Sequence, residues 1–115
     1  MFKKDMQISL LLDFYGDILS ERRREMTGLY YNDDLSLSEI AEICNISRQG
    51  VRDAIKKSEA ELLELEEKLG LAGRYGELRI QLAKISAEID SIETDDEKTA
   101  KKLKAISNDL TNLNI

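Results

Sequence analysis

The chain has 115 residues, a net charge of −6, and no His, Pro or Trp. Its length fits one domain, or one small domain with an appendage. Without His there is no Ser-His-Asp arrangement and no histidine metal ligand, and a single Cys cannot build an internal disulfide or a thiolate metal cage. We therefore predict a protein that is not an enzyme, that uses no cofactor or metal, and that works in the reducing cytoplasm.

The apolar residues favour helices over strands. Leu and Ile supply most of them, whereas Val occurs once and Thr four times. No Pro interrupts a helix, and no apolar run approaches the ~20 residues that span a bilayer. Residues 1–5 show no small-residue cleavage site of the kind that ends a signal peptide. The sequence predicts an all-α protein without a membrane-inserted segment.

Two helices are predicted near the N-terminus. Apolar residues at helical spacing predict the first over Lys3–Leu19. The second is predicted over Glu21–Tyr31, because Ser20 can cap it and an acidic first residue suits the positive end of the helix dipole. A turn is predicted at 32–34.

A helix-turn-helix pattern follows at about 36–57. Ser36 and Glu39 form a capping box, which predicts the start of a short helix. Asn45 can adopt the left-handed backbone of a tight turn, and Ser47 can cap the next helix. Two helices joined by three or four residues are typical of this motif. Its small core is predicted to contain Ile40, Ala41, Ile46, Val51 and Ile55.

The second helix of the motif is predicted to run to about Leu69, where Gly70 can supply a C-terminal cap. Its beginning is basic: segment 47–57 carries four basic residues and one acidic residue in an otherwise acidic protein. Cations at this place can neutralise phosphates, and Arg or Gln can reach base edges. A solvated charged face on an ordinary helical hairpin is the alternative interpretation. The candidate nucleic-acid-binding residues here are Ser47, Arg48, Gln49, Arg52, Lys56 and Lys57.

A second basic cluster consists of Arg22, Arg23 and Arg24. First helices of helix-turn-helix domains often contact the phosphate backbone, so we include the three arginines among the candidate nucleic-acid-binding residues. Three consecutive helical residues point in three directions, however, and a solvated surface is the competing interpretation.

The C-terminal third is predicted to be an amphipathic assembly segment, residues 78–115, after a Gly-containing hinge at 71–77. One continuous helix would need a partner along its seam. Alternatively, Thr94 and Glu97 form a second capping box and start a new helix, which gives an antiparallel hairpin. Both alternatives leave a long, narrow apolar seam that indicates self-association or a partner helix, and we predict a homodimer. The predicted dimer seam contains Leu78, Leu82, Ile85, Ile89, Ile92, Leu103, Ile106 and Leu110.

Three stretches within residues 8–75 resemble the YlxM family: Leu12–Gly16, Leu29–Glu42 and Ile46–Val51. These are small proteins of Gram-positive bacteria with a helix-turn-helix of the sigma-factor region-four type. The resemblance implies DNA binding. Because members are typically encoded beside genes for the signal recognition particle protein or its receptor, it also implies a role in that pathway.

The sequence as a whole predicts a regulatory protein that binds nucleic acid through a helical domain, residues 1–70. Its expected ligand is duplex DNA or, through the family resemblance, signal recognition particle RNA. The alternative is a protein–protein adaptor that docks on the signal recognition particle protein or its receptor and uses the helix-turn-helix as a scaffold. The local positive charge of 47–57 favours the first function, and the overall charge of −6 favours the second.

Overall fold

The computed structural model describes residues 4–113, and all regular secondary structure in that range is helical. The all-α prediction is therefore confirmed. The elements are α1 (Gln7–Tyr15), a single 3-10 turn (Gly16–Ile18), α2 (Glu21–Tyr31), α3 (Leu37–Cys44), α4 (Arg48–Leu69), α5 (Leu71–Asp90) and α6 (Glu97–Thr111).

The predicted caps of the first unit are in place. The hydroxyl of Ser20 accepts the N–H of Arg23 at the start of α2. Ser36 and Glu39 form both hydrogen bonds of the capping box at the start of α3. Gly70 ends α4 with a φ of +65°, in the left-handed region where a residue without Cβ is favoured.

The chain divides into two compact units with a boundary between Ala72 and Gly73. In the first unit, α1, α2 and α3 all pack against α4, so α4 is its central helix. The core residues at or below 2% exposure include an aromatic ring and a methionine besides the aliphatic side chains. They are Ile8, Leu11, Tyr15, Met26, Ile40, Val51, Ile55 and Leu62.

The first helix is shorter than the predicted range Lys3–Leu19. The structure has α1 from Gln7 to Tyr15, and Lys3 lies outside the described residues. Leu19 is buried but its backbone is extended, with φ −68° and ψ 154°. The apolar periodicity therefore continues beyond the helix, because Leu19 reaches the core from an extended backbone instead of a helical one.

The second unit is a hairpin of two helices. Ser86 and Ser107 meet across it, their hydroxyl oxygens 2.9 Å apart. Leu82 and Leu110 line one groove between the same helices, so the helices run antiparallel. Of the two alternatives for this segment, the structure has two helices.

Two local features of the second half differ from the sequence predictions. Residues 71–77, predicted as a hinge, form the first part of α5, because helix formation resumes directly after Gly70, and the boundary between the two units falls within them. The cap of α6 is Asp96 and not Thr94: one carboxylate oxygen of Asp96 accepts the N–H of Lys98, and the other accepts the hydroxyl of Thr99. These bonds hold the pKa of Asp96 below its ordinary value, with the Thr99 hydroxyl as the largest cause.

Candidate nucleic-acid interface

The turn between α3 and α4 has the geometry of a helix-turn-helix. Asn45 adopts the left-handed conformation, with φ 57° and ψ 45°, and its N–H bonds to the carbonyl of Ala41. The N–H of Ile46 bonds to the same carbonyl at 3.1 Å. Ser47 then caps α4, since its hydroxyl accepts the N–H of Gly50 at 3.0 Å. The predicted motif is thus formed by local hydrogen bonds at each end of a three-residue connection.

The predicted core of the motif fixes which face of α4 points outward. Val51 and Ile55 are fully buried, and Ile40 packs in the same core. Ile46 is half-buried at the turn. The candidate residues of α4 are exposed and begin at the edge of this buried side; we define them as the basic stripe, which consists of Arg48, Gln49, Arg52, Lys56 and Lys57.

The charge at the start of α4 adds to the helix dipole instead of opposing it. Glu21, Glu39 and Glu97 provide acidic first turns for α2, α3 and α6. The first turn of α4 has none and begins with Arg48. Because the N-terminus of a helix already carries a positive partial charge, this end of α4 attracts anions.

Two members of the basic stripe are held by acidic neighbours on the same helix. The side-chain amide of Gln49 donates to Asp53 at 2.8 Å. Nζ of Lys56 lies 3.6 Å from Oε1 of Glu59, a residue that is itself buried. These contacts limit the rotamers of both side chains. The two side chains therefore lose less conformational entropy when a ligand binds.

Gly50 lies in the first turn of α4 under the cap. A Cβ added there would lie 3.2 Å from the hydroxyl oxygen of Ser47 and 3.4 Å from Cδ1 of Ile46. The absence of a side chain at this position therefore leaves room for the cap and for the residue that plugs the turn.

The arginines of the second basic cluster have three different environments. Nη2 of Arg22 donates to the carbonyl of Cys44 at 3.1 Å, which places Arg22 at the end of α3 beside the turn. Arg23 is mostly buried and pairs with Glu61 at 2.5 Å. The exposed Arg24 pairs with Asp17 at 2.5 Å. Arg22 thus lies beside the turn of the helix-turn-helix, whereas Arg23 contacts α4 further along.

Two buried tyrosine–glutamate pairs were not predicted from the sequence. Tyr31 donates to Glu59, and Tyr15 donates to Oε1 of Glu66 at 2.6 Å. Burial, and then the neighbouring carboxylate, raises the pKa of each tyrosine above its ordinary value. Residues 28 and 51 positions apart form these pairs, so no local pattern signals them.

The Tyr15–Glu66 pair also starts α5. The hydroxyl of Tyr15 accepts the N–H of Leu71 at 3.0 Å, and Oε1 of Glu66 accepts the N–H of Ala72 at 3.0 Å. These are first-turn amides that have no partner inside their own helix. The two side chains therefore cap α5 from a distance, directly after the left-handed Gly70.

The predicted dimer seam lies in the second unit and is only partly covered. Leu82, Ile89, Leu103 and Leu110 are half-buried, whereas Leu78, Ile85, Ile92 and Ile106 are exposed. Over residues 73–113 the only buried residue is Ser107. The hairpin thus leaves a large part of its apolar surface in water.

Within residues 4–113, the acidic residues and Cys44 form no group of three or more that could hold a metal ion. In the same range, no helix is long and apolar enough to cross a membrane.

The first unit has the features of a helix-turn-helix protein: a capped three-residue turn, a buried core behind it, and an exposed basic stripe on the second helix. The family model described as "Putative helix-turn-helix protein, YlxM / p13 like" matches residues 2–106. The chain belongs to this family, UPF0122, and the resemblance seen in the sequence is confirmed.

Relatives of known sequence agree with this assignment. A UPF0122 protein of Thermoanaerobacter sp. strain X514 is 41% identical over 94% of this chain and 94% of its own length. One of Acetivibrio thermocellus is 48% identical over 78% of this chain and 77% of its own. One of Bacillus cereus strain AH187 is 42% identical over 92% of this chain and 96% of its own.

Proposed function

We propose that this protein is a cytoplasmic, non-enzymatic regulatory protein that binds duplex DNA through α4. The observation that carries this proposal is the exposed basic stripe of α4. It begins at the N-terminus of the helix, where the helix dipole is positive, and the core of the helix-turn-helix supports it. In helix-turn-helix domains the second helix enters the major groove, with its N-terminal residues at the base edges.

The roles within the stripe follow from position. Arg48 and Gln49 lie in the first turn, where side chains reach bases; Arg52 and Lys56 lie one and two turns further, where they suit phosphates. Lys57 lies next to Lys56, and the Ser47 cap orients the helix end. Arg22, held beside the turn, is suited to a flanking phosphate contact.

Duplex DNA is a better ligand for this geometry than an RNA helix. The major groove of B-DNA admits an α-helix, whereas that of A-form RNA is too deep and narrow for side chains to read. Signal recognition particle RNA could still be bound at a loop or a bulge, where bases are open. We include it as a second arm of the test.

The role in the signal recognition particle pathway is proposed from the family resemblance. The adaptor alternative is favoured by one observation, the apolar surface that the hairpin exposes. In that case the signal recognition particle protein or its receptor docks on residues 78–115, and residues 1–70 serve as scaffold. We favour nucleic-acid binding as the function of the first unit, and we propose that the hairpin associates with a second copy to form a homodimer.

The test is a binding titration of the full chain against duplex DNA and particle RNA at several salt concentrations. The variant replaces Arg48, Arg52 and Lys56 by Ala, all of which are exposed. Each lost phosphate contact flattens the slope of log affinity against log salt by about 0.9 for duplex DNA. A lost base contact of Arg48 costs about 1–3 kcal/mol at preferred sequences.

A matched control removes the same charge elsewhere. Lys101, Lys102 and Lys104 are exposed on α6, so their replacement by Ala also lowers the net charge by three. The control should keep the affinity and slope of the parent protein. Equal losses in both variants, or no loss in a folded α4 variant, would show that α4 is not the nucleic-acid interface. Binding of the particle protein without any nucleic acid would favour the adaptor.

A further inference from the structure

The two helices of the hairpin use only half of their apolar seam on each other. In α5, the half-buried Leu82, Ser86 and Ile89 face α6; in α6, the covered residues are Leu103, Ser107 and Leu110. Both sets have the spacing 4, 3 that keeps side chains on one helix face. The remaining apolar residues of the seam are not covered by the partner helix of the hairpin.

Those remaining residues recur every seven positions. Leu78, Ile85 and Ile92 are 42%, 43% and 52% exposed, and Ile106 and Leu113 are 42% and 48% exposed. Ile92 lies two residues beyond Asp90, the last residue of α5, and its N–H bonds to the carbonyl of Ile89 at 3.1 Å, which closes a tight turn at the helix end. A repeat of seven keeps these side chains in one row along each helix.

The two exposed rows lie on the same face of the hairpin. Each helix has an isoleucine one residue before the serine that faces the other helix: Ile85 before Ser86, and Ile106 before Ser107. One residue corresponds to a rotation of about 100° around the helix axis. Because Ser86 and Ser107 face each other and the helices run antiparallel, equal offsets place Ile85 and Ile106 on one side. We define the hairpin face as Leu78, Ile85, Ile92, Ile106 and Leu113.

The charges along α5 and the loop that follows it indicate which partner fits this face. Between 85 and 97 there are six acidic residues and no basic one. Between 74 and 84 there are three basic residues and one acidic residue. A second copy that runs antiparallel would set the acidic segment of each chain beside the basic segment of the other, while a parallel copy would set the two acidic segments side by side.

The spacing of the row in α5 fits the same arrangement. A two-fold axis through Ile85 places Ile85 opposite its own copy and Leu78 opposite Ile92 of the other copy, so the row is complementary to itself. Such an isologous contact is the commonest form of homodimer. It would also cover surface that a two-helix unit with one buried residue leaves in water.

We propose that the hairpin face binds a second copy of this chain in antiparallel orientation, with Ile85 at the two-fold axis, to form a four-helix bundle. This inference rests on the proposed self-association and assigns its geometry. Leu82, Ile89, Leu103 and Leu110, half of the predicted seam, then hold the hairpin together, and Leu78, Ile85, Ile92 and Ile106 hold the dimer.

Cysteine cross-linking of the full chain tests the orientation. Single cysteines are placed in a C44S background and treated with a short bismaleimide. We expect I85C to link to itself. L78C and I92C should each link weakly alone and efficiently when mixed and allowed to exchange. I80C is the control, because Ile80 is 72% exposed but lies off the hairpin face.

The outcomes separate the geometry from self-association itself. Self-linking of L78C and of I92C would show a parallel dimer and overturn the proposal. Linking of I85C to I106C, without linking of I85C to itself, would show a different two-fold axis and overturn it as well. Sedimentation equilibrium decides whether a dimer exists: the parent mass should be near twice 13.1 kDa. A monomer at tens of micromolar would overturn both self-association and its geometry.

A substitution pair gives an independent measurement. I85K places a charge on the hairpin face, and I80K places the same charge on exposed surface outside it. We expect I85K to raise the dimer dissociation constant at least tenfold and I80K to leave it within twofold. Circular dichroism shows whether both variants keep their helices. Equal dissociation constants for two folded variants would overturn the proposal.

Discussion

Tyr31 donates a hydrogen bond from α2 to Glu59 of α4, and both residues are buried. The second carboxylate oxygen of Glu59 lies 3.6 Å from Nζ of Lys56 in the basic stripe. The backbone N–H of Asp5 donates to the Tyr31 hydroxyl at 3.3 Å. One buried carboxylate thus joins the core of the first unit to the proposed DNA-binding surface.

Removal of the Tyr31 hydroxyl should destabilise the first unit. Tyr31→Phe leaves a buried carboxylate with fewer partners, and we expect a loss of about 1–3 kcal/mol in the free energy of unfolding. Urea titration followed by circular dichroism measures it. In a Glu59→Gln background the same change should cost less, because the remaining group is neutral; equal costs in both backgrounds would disprove the coupling.

The same pair predicts loss of stability at alkaline pH. Burial, and then Glu59, raises the pKa of Tyr31 in the folded state above its ordinary value of 10.0. The neutral phenol is therefore favoured by folding, and this contribution is full below pH 10 and lost as the pH rises above it. Urea titrations at pH 8, 10 and 11 should show a smaller alkaline loss for Tyr31→Phe than for the parent protein.

Neighbouring arginines should behave differently on substitution. Arg23→Ala removes an ion pair with Glu61 and a hydrogen bond to Ser58 at 3.4 Å in a mostly buried site, so we expect a loss of about 1–2 kcal/mol in unfolding free energy. Arg24→Ala removes an exposed pair, worth about 0–1 kcal/mol. Both variants remove one positive charge. Equal stabilities would contradict the assignment of Arg23 to the core of the fold.

Substitution of the α4 cap should separate stability from binding. Asp caps a helix about as well as Ser, so Ser47→Asp should change the unfolding free energy by less than about 0.5 kcal/mol. It also places a carboxylate where we propose that phosphate or base edges lie, so DNA affinity should fall. Ser47→Ala should show the reverse, with a loss of about 1 kcal/mol in stability. An affinity that tracks stability in both variants would contradict the interface.

The glycines of two helices provide a matched comparison. Gly76 lies in α5, and a Cβ added there meets nothing within 4 Å, so Gly76→Ala should stabilise the chain by up to about 1 kcal/mol. Gly50→Ala has the same propensity gain but presses on the Ser47 cap, so we expect a change within about 0.5 kcal/mol of zero. Thermal unfolding compares them. A destabilising Gly76→Ala would favour the flexible hinge that the sequence predicted at 71–77.

The features that could be predicted from the amino-acid sequence are local. The capping box of Ser36 and Glu39, the left-handed Asn45, the Ser47 cap and the Gly70 end of α4 were all predictable, because each depends on residues within four positions of one another. The exposed basic stripe followed from the same helical spacing that buries Val51 and Ile55.

The errors in the sequence reasoning occurred where tertiary contacts outweigh local preference. The glycines at 70, 73 and 76 suggested a hinge, but Tyr15 and Glu66 cap the amides of Leu71 and Ala72, and α5 starts at once. A helix tolerates an isolated glycine at a cost of about 1 kcal/mol, so the remaining two do not break it.

The partners of individual side chains depend on how distant segments pack and could not be predicted from the sequence. Arg23 forms an ion pair with Glu61, 38 residues away, while its neighbour Arg22 donates a hydrogen bond to the carbonyl of Cys44 at the end of α3. The apolar seam of 78–113 divides into residues that hold the hairpin and residues that stay exposed. Spacing along a helix specifies which residues share a face, but the neighbour that covers each side chain depends on how distant segments pack.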